Sequence, residues 1–149
     1  MTLLAFGVGG RRYGIDVRAV AAVVPVPPLR LLDLAPEWVA GVFVFLGHLV
    51  PVVDLCRIHG GCASRRAFGT RIVVVPYPGP DGTVRHVGLA AEGVTDIVEL
   101  DGAALQPPGV RVESTPWLGA MGPDERGELL QVVDVDRLLP AEVRDLLFA

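Results

Sequence analysis

No apolar run in this sequence goes far before it meets a glycine or a proline. The chain of 149 residues holds 18 Gly and 13 Pro, and the segments between them are short and rich in Val. Glycine in an element interior costs conformational entropy, and proline removes a backbone donor, so both residues cut elements short and set turns. A fold of long helices does not fit this spacing. Short β-strands joined by tight connections do.

The strands read as pairs. Residues 3–8 and 13–17 flank a Gly-Gly-Arg-Arg turn and form a first hairpin. Residues 43–46 and 49–53 form a second. Residues 71–76 and 84–90 flank Pro80-Asp81-Gly82, and residues 94–100 and 129–133 complete the set. Helix is limited to single turns at 17–21 and 36–40 and to residues 140–148. In that last segment Pro140 opens the helix, and Val143, Leu146 and Leu147 share a face. Strands this short and frequent predict small barrels rather than a parallel sheet with crossover helices. The chain also repeats itself. Gly14-Ile15, Val20 and Val23-Val24 have the spacing of Gly88-Leu89, Val94 and Ile97-Val98, and Val52-Val53-Asp54-Leu55 resembles Val132-Val133-Asp134-Val135. The two blocks come in the same order in each half, with a division expected near residues 60–69.

Composition narrows the function. The chain is 51% hydrophobic and 20% charged, which is apolar enough to bury a core. Its net charge of −4 would be repelled by a phosphate backbone, so nucleic acid is not an expected partner. All thirteen basic residues are Arg. A Walker-type phosphate loop and a Schiff-base mechanism both require lysine and are excluded. No basic residue precedes the apolar start, which therefore does not read as a secretory signal. The apolar stretch 38–53 is broken by Gly41, Gly47, His48 and Pro51 and reads as paired strands, not a membrane span. The cytoplasm is the expected compartment, and the two cysteines are expected as thiols.

No catalytic constellation emerges. Ser64 and Ser114 are the only serines, and neither sits in a nucleophile elbow or beside a histidine. Asp54 and Asp134 occupy equivalent places in the two halves. An Asp after a strand commonly opens a turn by bonding nearby backbone, and that role is expected for both. Cys56, His59 and Cys62 are the one candidate metal set, but a structural zinc needs a fourth ligand and none is evident, so neither metal nor cofactor is expected. His48 and His86 lack an orienting partner for proton transfer, and Trp38 and Trp117 read as core or interface residues.

The motif string resembles the CheW-like chemotaxis coupling proteins. Tyr13-Gly14-Ile15-Asp16-Val17 with Val20 is similar to the family's first signature, and residues 35–42, Ala-Pro-Glu-Trp-Val-Ala-Gly-Val, to its second. Residues 47–55 resemble the third. Val87-Gly88-Leu89 with Val94 and Val98, and then residues 130–139, match the second half. The resemblance implies an all-β fold of two tandem five-stranded SH3-like β-barrel subdomains, about 1–66 and 67–149, with strand exchange at the termini and a short C-terminal helix. It implies a non-catalytic adaptor, with no cofactor, that couples the cytoplasmic tip of a chemoreceptor to a CheA-type histidine kinase. Such a protein is cytoplasmic, is recruited to membrane-associated receptor arrays and can contact other coupling proteins. Partner contacts are then expected at Val20, Ala22, Val44, Leu46 and His48. Structural turns are expected at Gly14, Gly41, Gly47, Gly88, Asp54 and Asp134. A single-partner regulatory module, or a metal-binding factor using Cys56, His59 and Cys62, is the alternative.

Two departures from the family pattern bear on the site. Ala22 stands where the family usually carries Glu, and Val44 and Leu46 stand where it usually carries Asn and Arg. Losing an acid and a base together leaves no orphaned charge, and predicts a more apolar contact. Residues 71–78, 116–119 and 138–148 resemble the accessory coupling protein of Wsp-type surface-sensing systems, in which the kinase drives a cyclic-di-GMP synthase.

Overall fold

The short runs between glycines and prolines form nine strands among the described residues, 1–60, 69–78, 81–110 and 118–148 of the computed structural model. In chain order these are β1 (Thr2–Val8), β2 (Arg11–Asp16), β3 (Ala22–Pro25), β4 (Val39–Phe45), β5 (His48–Asp54), β6 (Arg71–Pro78), β7 (Val84–Glu99), β8 (Leu118–Pro123) and β9 (Leu129–Val133). Two short helices follow, α1 (Val135–Leu138) and α2 (Ala141–Leu146). The two strands expected at 84–90 and 94–100 are one continuous 16-residue strand, β7. The strands β3 and β8 were not expected. The first has four residues and ends on Pro25, and the second is Gly-, Met- and Pro-rich, so neither carries a strong β-propensity signal. The single turn expected at 17–21 is a 3-10 turn, Val17–Ala19, capped by Asp16. The helix expected at 140–148 is α2, and Pro140 stands at its N-cap rather than inside it.

The long strand β7 organises the molecule. Its first half pairs with β6 antiparallel and with β5 parallel, in the order β3-β6-β7-β5-β4. Its second half pairs with β1, in the order β7-β1-β2-β9-β8. The result is all-β, two five-stranded SH3-like barrels joined through one strand and followed by a short C-terminal helix. We call the first barrel B and the second barrel A. Strands β1 and β2 lie in barrel A with β8 and β9, while β6 lies in barrel B with β3, β4 and β5. Neither stretch, 1–66 or 67–149, is therefore a sheet by itself.

The internal repeat becomes a structural equivalence. Gly14 pairs antiparallel with Ala5 and parallel with Val132; Gly88 pairs antiparallel with Val74 and parallel with Val52. Both glycines sit inside strands, which corrects the expectation that they occupy turns. They are needed for space. A Cβ on Gly14 would lie 2.6 Å from Leu130 Cδ2, and one on Gly88 would lie 2.7 Å from Ile72 Cγ2. Gly41 is also in a strand, at the irregular register of β4, with a φ of 142° that a side chain would strain. Gly47 alone of the four glycines is in a turn.

Three apolar clusters follow from this layout. Leu3, Ala5, Val98, Leu100 and Leu130 fill barrel A, and Val52, Ile72, Val74 and Ala90 fill barrel B. The largest cluster lies between the barrels, where alternate residues of β1, β2, β6 and β7 meet Leu138, Leu139, Val143 and Leu147 from the C-terminal segment. Fully burying each of the Leu, Ile, Val and Phe side chains among them contributes about 1.5–3 kcal/mol.

Candidate partner-binding surface

The β4–β5 hairpin brings three of the expected contact residues together. Its turn is the dipeptide Leu46-Gly47, with φ of 48° and 81°. Two successive positive φ values are the mark of a type I′ turn, whose right-handed twist suits a hairpin but which normally selects Asn, Asp or Gly. Leucine at the first position is strained, and it is also 81% exposed. Strand alternation explains the rest. Phe43 and Phe45 turn inward and pack against the barrel B cluster, and the Phe45 ring meets His86 edge-on at 5.9 Å. Val44 turns outward, 66% exposed, directly opposite Leu49, 68% exposed. His48 is exposed beside them. No Asp, Glu, Lys or Arg occurs between residues 39 and 53. The tip is therefore an apolar, uncharged surface displayed to solvent. Leu49 was not among the expected contacts, although period-two alternation from Val44 across the hairpin points to it.

Val20 and Ala22 are placed differently. Val20 packs half-buried against the central cluster, and Ala22 packs against the barrel B cluster that Phe43 and Phe45 also join, whereas Val44, Leu46 and His48 are exposed. The five expected contact residues thus do not share one face. Ala22 turns inward because it alternates with Val23, whose side chain is the exposed one.

Asp54 and Asp134 cap equivalent chain reversals. Asp54 Oδ1 accepts from the backbone N–H of Cys56 at 3.0 Å and of Arg57 at 3.3 Å, and Asp134 Oδ1 accepts from the N–H of Asp136 at 3.0 Å. The first opens a π-helical turn, Cys56–Gly60, and the second opens α1. Of the candidate metal set, Cys62 lies outside the described residues. Cys56 is buried, with Sγ 3.6 Å from Glu92 Oε1, and His59 Nε2 lies 3.0 Å from the Leu138 carbonyl oxygen, which accepts from it. Burial lowers the His59 pKa, opposed by that hydrogen bond. Among the described residues no three His, Cys, Asp or Glu side chains cluster as a metal site. Trp117 also lies outside the described residues, while Trp38 packs against the central cluster.

A molecule whose regular structure is two fused barrels, with an apolar hairpin tip displayed to solvent, belongs to the class of small β-barrel binding modules. The CheW-like domain family model matches residues 2–143, and the chain belongs to the CheW-like family. It is 28% identical over 144 residues to a protein named chemotaxis protein CheW from Klebsiella aerogenes, covering 93% of this chain and 81% of that one. It is 26% identical to the protein of the same name from Rhizobium meliloti, covering 96% and 90%. The crystal structure of the scaffolding protein TtCheW from Thermoanaerobacter tengcongensis has the same fold, with a TM-score of 0.80 at 20% identity, covering 98% of this chain and 92% of that one.

Proposed function

We propose that this chain is a non-catalytic adaptor that couples the cytoplasmic tip of a chemoreceptor to a CheA-type histidine kinase, and that the β4–β5 tip makes one of those contacts. The family match across residues 2–143 carries the reading, because its relatives are named as chemotaxis proteins over nearly their whole length. The exposed tip supports it, since a contiguous apolar patch on a folded domain commonly marks a contact site. Among the described residues no helix is long and apolar enough to cross a membrane.

Reconstitution with a chemoreceptor and a CheA-type histidine kinase from the same organism tests the proposal. An adaptor forms a ternary complex with both. Binding of only one partner at a time would instead identify a single-partner regulatory module. Leu46→Arg is expected to fold and to weaken one of the two contacts by about 1–3 kcal/mol, because the new charge is desolvated on association. Unchanged affinity for both partners would remove the tip from the binding surface.

A further inference from the structure

The two barrels carry equivalent hairpins, and comparing them exposes a difference at one strand edge. In β4–β5, Val42 pairs with Pro51, Phe43 with Val50 and Val44 with Leu49. In β8–β9, Met121 pairs with Gln131, Gly122 with Leu130 and Pro123 with Leu129. The outer edges begin alike. Arg30 exchanges two backbone hydrogen bonds with Val42, both 2.9 Å, and Gln106 exchanges two with Met121, at 2.9 and 2.8 Å. Two residues further on they part. In barrel A the position is Pro123, which has no N–H, and a charged turn follows, Asp124-Glu125-Arg126-Gly127-Glu128. Proline and charge are devices that stop a strand edge from pairing. In barrel B the position is Val44, and an uncharged turn follows.

Val42 directs both of its polar backbone groups outward to Arg30, and antiparallel strands alternate in this respect, so those of Val44 also point outward from β5. Neither group has a hydrogen-bond partner elsewhere among the described residues. The edge of β4 beyond Val42 is thus an open strand edge bordered by the exposed side chains of Val44, Leu46 and Leu49.

We infer that this edge pairs antiparallel with the same edge of a second copy about a two-fold axis near Val44, so that each copy satisfies the other's donor and acceptor. A two-fold contact must be self-complementary. The uncharged tip meets that condition, because bringing it against itself opposes no like charges, whereas the charged turn of barrel A would not meet it. Size sets the strength. Stable interfaces bury about 800 Å² per partner, more than three side chains supply, so the dimer is weak and forms where copies are crowded together. The same tip cannot serve a partner and a second copy at once, so the dimer competes with the contact proposed above without depending on it.

Sedimentation equilibrium on the purified chain, from about 10 µM to 1 mM, spans the range in which such a contact populates. The expected result is a mass that rises from monomer toward dimer and stays monomeric in Val44→Pro, which copies the block at Pro123. Leu129→Arg, at the equivalent hairpin, should dimerise as the parent does. Circular dichroism and thermal melting check that each variant folds. If Val44→Pro does not fold, amide exchange at Val44 in the parent protein decides, since its exchange should slow as concentration rises. A monomer at every concentration, a Val44→Pro protein that still dimerises, or Val44 exchange independent of concentration would overturn the inference. Receptor and kinase binding, measured separately, keeps this outcome distinct from that of the adaptor proposal.

Discussion

Gly14 and Gly88 hold the two barrels closed by what they lack. Any side chain at either position meets a core methyl well inside contact distance, and the neighbours, Leu130 with Leu3 and Ile72 with Val52, are themselves packed. Gly14→Val and Gly88→Val are each expected to destabilise the fold by about 1–3 kcal/mol through overpacking, read as a lowered midpoint in urea. Equal losses would match their equivalent places. A different constraint acts at Asp16. The Arg18 side chain and then its backbone N–H hydrogen-bond to this carboxylate and hold its pKa at about 2, against an ordinary 3.8. A lowered carboxylate pKa stabilises the fold above the ordinary value, and that contribution fades as pH falls from about 4 toward 2. Asp16→Asn should therefore flatten the acid limb of the stability profile in that window and leave the neutral limb lower by a constant amount. Parallel limbs for variant and parent would show that the pair contributes nothing.

Elements were legible where local chemistry and tertiary context agreed. The hairpins around Gly9-Gly10 and Leu46-Gly47 were, because glycine turns and flanking alternation point the same way. The missed strands, β3 and β8, have ends set by pairing partners far away in sequence, such as Val74 for Ala22 and Val133 for Leu118. The two strands expected at 84–90 and 94–100 run on as one, and the gap between them holds Gly93, a positive-φ residue at an irregularity within β7. At the candidate site, alternation along β4 was enough to place Val44 outward, whereas Leu46, read as part of the same strand, is exposed because it stands in the turn beyond it. Nothing local could show that Val20 and Ala22 face inward, because that depends on where β3 docks. The Asp caps are testable at this scale. Asp54→Ala and Asp134→Ala should each cost about 0.5–2 kcal/mol. The loss should be larger at Asp54, which is buried and accepts two backbone bonds. Equal small effects in thermal melts would argue that the reversals are set by the strands alone.

At the scale of the whole molecule, duplication in sequence has not produced two independent domains. Residues 1–60 contain β1 to β5, yet β1 and β2 lean on β7 and β9, and β3 and β5 lean on β6 and β7. A fragment of residues 1–60 is expected to remain unfolded, with little protection from proteolysis, while the full chain unfolds in one transition. A protected fragment would mean that one barrel stands alone. The shared strand has a further consequence, in the order of synthesis. Translation runs at about 5–20 residues per second. Barrel B cannot close until the first half of β7 has emerged, and the first hairpin, with Leu3, Leu4, Phe6, Tyr13 and Ile15 destined for burial, must wait longer, for the second half of β7 and then β9. For several seconds on each ribosome the first hairpin has only its own two strands to pair and no sheet to bury its apolar face, which makes the nascent chain, rather than the finished protein, the state most in need of a chaperone.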